Sequence, residues 1–460
     1  MMKNRELPSS FRDPSGFLFI DEGLIYRQVN ILYKENYDHL INSGLYKTLL
    51  ELNLLIPHQE VNINLAKSDR AYKVIKPELI TFISYPYEWC FSQLKDAALI
   101  TLQIQKEALK FDMSLKDCSA YNVQFHKGKP IFIDTLSFEK HREGEPWIAY
   151  KQFCQHFLAP LALMSRKDIR LNQLFRIYID GIPLDLASSL LPFKTHFHFS
   201  LLSHIHLHAK SQKHYADKTV DKSRFKMSRT SFLGLIDSLE SAVKKLKWNP
   251  QSTEWGSYYE DTNYTSAALE HKNQIIGKFL EESNPKTIWD LGANDGLFSR
   301  VSSNKGIPTL SFDIDPVAVE KNYLKSIKEK ESNILPLLVD ITNPSANIGW
   351  ENRERMSLKK RRSADTVLAL ALIHHLAISN NLPFKKIAHF FYKICNSIII
   401  EFVPKNDSQV QRLLSTREDI FPDYTQQSFE EEFGKYFTIQ RCERIRDSER
   451  ILYLMNRKGV

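Results

Sequence analysis

From Tyr258 onward the chain alternates short apolar runs with segments of helical length: TIWDL, TLSFDI, ILPLLVD, TVLALAL and SIIIEFV. Most of these runs are nearly continuous in apolar residues. A strand with one wet face does alternate, so a continuous run suits a strand buried on both faces. Strands and helices in strict succession predict a parallel sheet covered by helices on each side. A last apolar stretch, RILYLMN, supplies a plausible final strand. The expected fold class is α/β, with a Rossmann-like sheet in the C-terminal half.

The strand ends carry the candidate binding residues. The first strand, Thr287 to Leu291, runs into Asp290-Leu291-Gly292-Ala293-Asn294-Asp295-Gly296, with a helix expected from about Leu297. Turn glycines let the backbone approach a ligand, and ligands of open α/β sheets lie beyond the carboxyl ends of the strands. The second strand ends in Phe312-Asp313-Ile314-Asp315-Pro316, where an acidic side chain can accept hydrogen bonds from both ribose hydroxyls. The third ends at Val339-Asp340. The spacing G-x-x-x-G departs from the G-x-G-x-x-G of dinucleotide sites.

These residues resemble the class I S-adenosylmethionine-dependent methyltransferase family, from about Tyr258 to the C-terminus. An acid followed by G-x-x-x-G is that family's first motif, and Asp290, Gly292 and Gly296 fit it, with Asn294 inside it. The resemblance implies a seven-stranded sheet and S-adenosyl-L-methionine as cofactor. It implies ribose binding by Asp313, with Asp315 as the competing choice, and adenine binding by Asp340. The alternative is a cofactor-free domain in which these are turn residues. The fourth strand's end, which faces the methyl group in this family, carries His374-His375. A neutral imidazole there can take a proton from a hydroxyl, which makes both histidines catalytic candidates. The plainer reading has one pack against the cofactor and the other cap a helix. Glu401, ending the fifth strand, is a second candidate. The Asn/Asp-Pro-Pro-Tyr/Phe motif of relatives that methylate amide or adenine nitrogens is missing, which points to an O-directed enzyme. Upstream, Trp255, Tyr258, Tyr259 and Tyr264 either cover the cofactor as a lid, aromatic faces being attracted to a sulfonium, or pack onto the sheet.

The N-terminal half reads differently. GFLFIDEGLIYRQV suggests two strands joined at Asp21-Glu22-Gly23. A helix is expected from Tyr37 to Leu55, a strand over Ala71 to Ile83, and a long helix from Glu88 to about Leu109. Then LKDCSAYNVQFHKGKPIFIDTLSF reads as loop, strand, turn at Lys127-Gly128, strand and loop. Asp117, Asn122 five residues on, and Asp134 after an apolar strand resemble the catalytic loop of protein kinase-like phosphotransferases. The resemblance implies Asp117 as base and Asn122 and Asp134 as magnesium ligands on ATP. Departures are plain: a single glycine at the hairpin, Leu115 where His or Tyr is usual, Thr135 after Asp134, and Arg27 or Lys73 in place of a clear strand lysine. Otherwise Asp117 and Asn122 simply cap turns.

The expected organisation is an α+β kinase-like domain over 1–247, a substrate or regulatory module, followed by a methyltransferase domain over 248–460. Asn249-Pro250 marks the break. The FRDPSGF start, the SGLY helix and the kinase-like middle together are similar to the bacterial nodulation-protein-like (NoeA-type) methyltransferases. That likeness implies a small-molecule or saccharide acceptor.

A net charge of +8 permits an acidic partner without demanding one, so RNA or protein acceptors stay open as alternatives. The basic run LKKRRS, Leu358 to Ser363, has no aromatic stacking platform beside it. His196, His198, His204, His206 and His208 are dense enough to suggest a metal, but no carboxylate or Cys stands in ligand spacing, and no metal is assigned. The five scattered cysteines form no CxxC pair. No apolar signal core or membrane-length run is seen, so a cytoplasmic protein without a membrane span is expected. The stretch Lys210 to Arg229 reads as a polar, basic loop.

Overall fold

The computed structural model describes residues 5–215, 226–249, 265–415 and 417–459. The aromatic segment Trp255 to Tyr264 and most of the basic stretch after Lys210 lie outside the described residues. The chain divides into two compact units, Met1–Asn249 with Asn347–Arg355, and Pro250–Ala346 with Met356–Val460. Among the described residues, no helix is long and apolar enough to cross a membrane.

The first unit is α+β. Its five-stranded sheet has the order Arg5–Glu6, Gly16–Asp21, Leu24–Asn30, Ala71–Pro77, His58–Val61. All its pairs are antiparallel. The expected helix over 37–55 is two helices, Lys34–Asn42 and Leu45–Glu51. Gly44 between them takes φ +91°, a left-handed conformation that ends one helix and admits the next. The strand beginning at Ala71 stops at Pro77, because proline has no N–H for the ladder. The long helix runs Phe91–Lys110 and buries Leu94, Ala97, Ala98, Leu102 and Leu109 on one face.

After that helix, strand Met113–Leu115 pairs antiparallel with Phe138–Lys140. Between them a hairpin, Val123–His126 with Lys129–Phe132, turns at Lys127-Gly128. Sheet, helices, long helix, loop, hairpin and returning strand follow one another along this unit. Residues 347–355, though distant in sequence, belong to it: Arg12 donates two bonds to Glu354, at 2.7 and 3.0 Å, and Arg355 lies 4.3 Å from the Tyr121 ring.

The second unit carries a seven-stranded sheet. In chain order its strands are Ile288–Leu291, Thr309–Asp313, Ile334–Leu338, Ala364–Ala369, Cys395–Phe402, Phe437–Arg444 and Ile451–Arg457. In space they run third, second, first, fourth, fifth, seventh, sixth. The first five are parallel, and the seventh is antiparallel to both its neighbours. The order reverses between the first and fourth strands, which opens a crevice at their carboxyl ends. This is the Rossmann-like class I methyltransferase sheet. All residues of the first strand are buried, as an unalternated apolar run requires. The helix expected from Leu297 is the short Ser299–Ser303.

Candidate functional site

A cavity of about 450 Å³ opens at the carboxyl ends of the first four strands of the second unit. Asp290, Gly292, Asn294, Asp313, Asp340 and His375 all line it. Gly292 turns with φ +77°, and its N–H and that of Ala293 both donate to Phe312 O at 2.9 Å. The turn is thereby tied to the end of the second strand.

The acidic residues are held in distinct ways. Asp290 is buried and accepts from Ser299 Oγ at 2.6 Å; burial pushes its carboxyl up to about 7. Asp313 Oδ2 accepts the Asn294 N–H at 2.7 Å and Oδ1 the Asp315 N–H at 2.8 Å; burial raises it to about 6. Asp340 Oδ1 accepts the N–H of Thr342 at 2.8 Å and its hydroxyl at 2.6 Å. Asp315 does not line the cavity. It caps helix Pro316–Glu329 through the Val317 N–H at 2.7 Å.

Two motif positions turn out differently from expectation. Gly296 is outside the lining; its φ of +80° and the close approach of its Cβ position to the Asn322 side chain, 2.5 Å, and to Arg300, 2.7 Å, both call for glycine. His374 is buried outside the lining as well, its ring 4.1 Å from that of His375, and its Nδ1 has no hydrogen-bond partner among the described residues. Of the two histidines, then, only His375 faces the cavity. Burial lowers its pKa to about 4, so the ring is neutral at pH 7.

Glu401 is fully buried and does not line the cavity. It accepts from Lys272 Nζ at 2.6 Å, the Ala371 N–H at 2.9 Å and Arg450 Nη1 at 3.5 Å. Arg450, also fully buried, grips Asp407 with bonds of 2.8 and 3.0 Å. A carboxylate so engaged serves structure, not proton abstraction. Sequence reasoning missed Lys272, which lines the cavity from helix Ser266–Ser283. A signal was there: Ala268, Lys272, Ile275, Ile276 and Phe279 share the buried face, where a lysine needs a partner.

In the first unit, Asp117, Asn122 and Asp134 meet. Asp134 accepts from Arg27, Ser137 Oγ and the Leu136 N–H. Burial opposes its ionisation, but the Arg27 charge and the Ser137 and Leu136 bonds prevail and hold its pKa below the usual value. Asn122 Nδ2 donates to Ser137 Oγ at 3.3 Å. Asp117 accepts from the Ser119 N–H at 3.0 Å and Gln152 Nε2 at 2.7 Å; burial raises its pKa, and the nearby Asp134 charge adds to that. Arg27 thus takes the place considered for a strand lysine, while Lys73 pairs with Glu60 in the open at 2.6 Å. Of the clustered histidines, His204 bonds Tyr150 and Ser238, His206 bonds Ser188 and Thr195, His196 stacks on His206, and His208 stacks on Tyr150. Among the described residues, no group of three or more His, Cys, Asp or Glu is arranged to hold a metal ion.

No protein-family model matches the chain. The nodulation protein NoeA of Rhizobium meliloti (strain 1021) is 35% identical over 456 residues, 97% of this chain and 95% of that protein. Among solved structures, the magnesium protoporphyrin IX methyltransferase ChlM from Synechocystis PCC 6803 is similar over 45% of this chain and 90% of its own, at 14% identity and TM-score 0.31. The bifunctional kinase-methyltransferase WbdD is similar over 42% of this chain and 40% of its own, at 13% identity and TM-score 0.30.

Proposed function

We propose, from the premise that the chain belongs to the family of the nodulation protein NoeA and is an S-adenosylmethionine-dependent methyltransferase, that it methylates an oxygen atom of a small molecule or saccharide. The observation that carries this reading is a neutral imidazole, His375, lining the same cavity as Asp290 and Asp313. The cavity volume suits a nucleoside-sized ligand. Buried carboxylates suit one that offers hydroxyls and positive charge. Asp313 would hold the ribose hydroxyls, Asp340 the adenine amino group, and Gly292 and Asn294 the turn against the cofactor, with Asp290 beneath it.

When bound, S-adenosylmethionine supplies a methyl group on a sulfonium, an already activated donor. What remains for the chain is alignment of the acceptor and removal of its proton. His375 would take the hydroxyl proton on a ring nitrogen, an assignment its neutrality at pH 7 favours. With labelled S-adenosylmethionine and a panel of oligosaccharides and hydroxylated small molecules, methyl transfer to oxygen is expected. His375→Ala should lower kcat about 100-fold while leaving cofactor affinity in place. Transfer to RNA or protein instead, or an unchanged kcat, contradicts the reading.

A second reading, nucleotide binding or phosphoryl transfer by the first unit, is favoured by the meeting of Asp117, Asn122 and Asp134 in a kinase-like layout. It predicts magnesium-dependent binding of ATP to the full chain, at least about tenfold weaker in Asp134→Asn. Calorimetry that finds no nucleotide binding removes it.

A further inference from the structure

A second cavity, of about 570 Å³, opens in the methyltransferase unit. Leu376, Ser379 and Asn380 line the cofactor cavity, and Ala377, Asn381 and Leu382 line this one, so the stretch of chain that follows His375 walls both. That wall is tied in place: Arg417 Nη1 donates to Ile378 O at 2.6 Å and to Asn381 Oδ1 at 3.2 Å. The volume of the second cavity suits a ligand of sugar size.

Its chemistry favours one kind of occupant. Asp423, Glu431 and Glu432 line it, and among the described residues Lys385 is the single Lys or Arg that does. The two oxygens of Glu432, on helix Gln426–Gly434, differ. Oε1 pairs with Lys435, which is outside the lining, whereas Oε2 is buried and has no hydrogen-bond partner among the described residues. A buried acceptor without a donor is costly, so a ligand that brings a donor to this oxygen is held firmly. The rest of the wall is aromatic. Phe384 and Tyr424, both buried, have ring centres 5.3 Å apart, and Phe421 joins them in the lining. The Tyr424 hydroxyl is used elsewhere, donating to Val403 O at 2.7 Å. Carboxylates among aromatic rings suit an organic cation: an anion is repelled, and an apolar ligand leaves the acids unpaired. We infer that this cavity binds the methyl acceptor through an ammonium group, with a hydroxyl of the same molecule toward His375. The inference rests on the reading of the protein as an O-methyltransferase and narrows its acceptor to an amine-bearing saccharide or small molecule.

The test uses the full chain and tetramers of glucosamine, N-acetylglucosamine and glucose, probes of one size that differ in the amine. Calorimetry measures binding, and labelled S-adenosylmethionine follows methyl transfer. The wild type should bind the glucosamine tetramer at least about tenfold more tightly than the other two, the span of a charge-assisted bond. Glu432→Gln and Asp423→Asn should each cut that preference to within about threefold and leave S-adenosylmethionine affinity unchanged. Asp423 is exposed, so its variant serves if Glu432→Gln does not fold. Glu329→Gln, an exposed carboxylate that lines neither cavity, should keep the full preference and so separates the site from net charge. A wild type that binds the three tetramers equally or binds none, or a preference that survives in both cavity variants, overturns the ammonium site; methyl transfer to the oxygen of some other acceptor then leaves the reading beneath it standing. Methyl transfer to the nitrogen of the glucosamine tetramer, with the preference lost in the variants, overturns the O-directed reading and leaves the site.

Discussion

Arg450→Ala is expected to destabilise the second unit by about 3–5 kcal/mol, the usual cost of removing one partner from a buried ion network. The side chain is fully buried and bridges Asp407, at 2.8 and 3.0 Å, with Glu401, at 3.5 Å. Without it, Glu401 loses one of its cationic contacts, keeping Lys272, and Asp407 keeps its charge in a poorly solvated place. The network joins the start of the seventh strand to the end of the fifth and to helix Ser266–Ser283. Loosening should therefore concentrate there. A chain of two units does not unfold with one well-defined free energy, so the readout is hydrogen exchange in strand Cys395–Phe402. Protection there should fall by a factor of at least about 100, while strand Leu24–Asn30 of the first unit stays protected. A loss below about 1 kcal/mol would show that the guanidinium adds little beyond its own desolvation cost.

Gly292→Val should remove measurable affinity for S-adenosylmethionine. At φ +77° a β-branched residue is strained by about 1–2 kcal/mol or more. Its Cβ would also meet Leu372 Cδ1 at 3.2 Å, within the cavity lining. Relief by rotating the turn breaks the two N–H bonds to Phe312 O and moves the Asn294 N–H off Asp313. The cavity then loses both its shape and the placement of Asp313. Gly277→Ala is the control: this helical glycine has open space around its Cβ position, and the change should leave binding unaffected. Equal affinity in Gly292→Val and the wild type would detach the turn from cofactor binding.

The parallel sheet was legible because five short, mostly apolar runs separated by helix-length segments leave few other folds, and the strands formed over those runs. Strand order was not, since apolar runs carry no record of which neighbour they pair with. A binding turn was readable at Gly292 because a positive φ beside a strand end calls for glycine. Gly296 also has a positive φ, +80°, but it lies outside the cavity lining, and its close approach to Asn322, distant in sequence, could not be read from the motif. Similarly, Asp313 and Asp315 differ by two positions; one faces the cavity and the other caps a helix. His374 and His375 are adjacent on a helical turn, where neighbours point about 100° apart, and periodicity could not say which faced inward. In the first unit Asp117, Asn122 and Asp134 were visible through their spacing. Arg27 as the partner of Asp134 depends on a contact across 107 positions. The helix break at Gly44 was overlooked because the apolar spacing continues through it.

The central claim, that the cavity at the carboxyl ends of the first four strands binds S-adenosylmethionine, is tested most directly by titrating the cofactor into the full chain by calorimetry. The account predicts saturable one-to-one binding in the wild type and none in Asp313→Ala. No heat from the wild type, or the same affinity in both proteins, would contradict it.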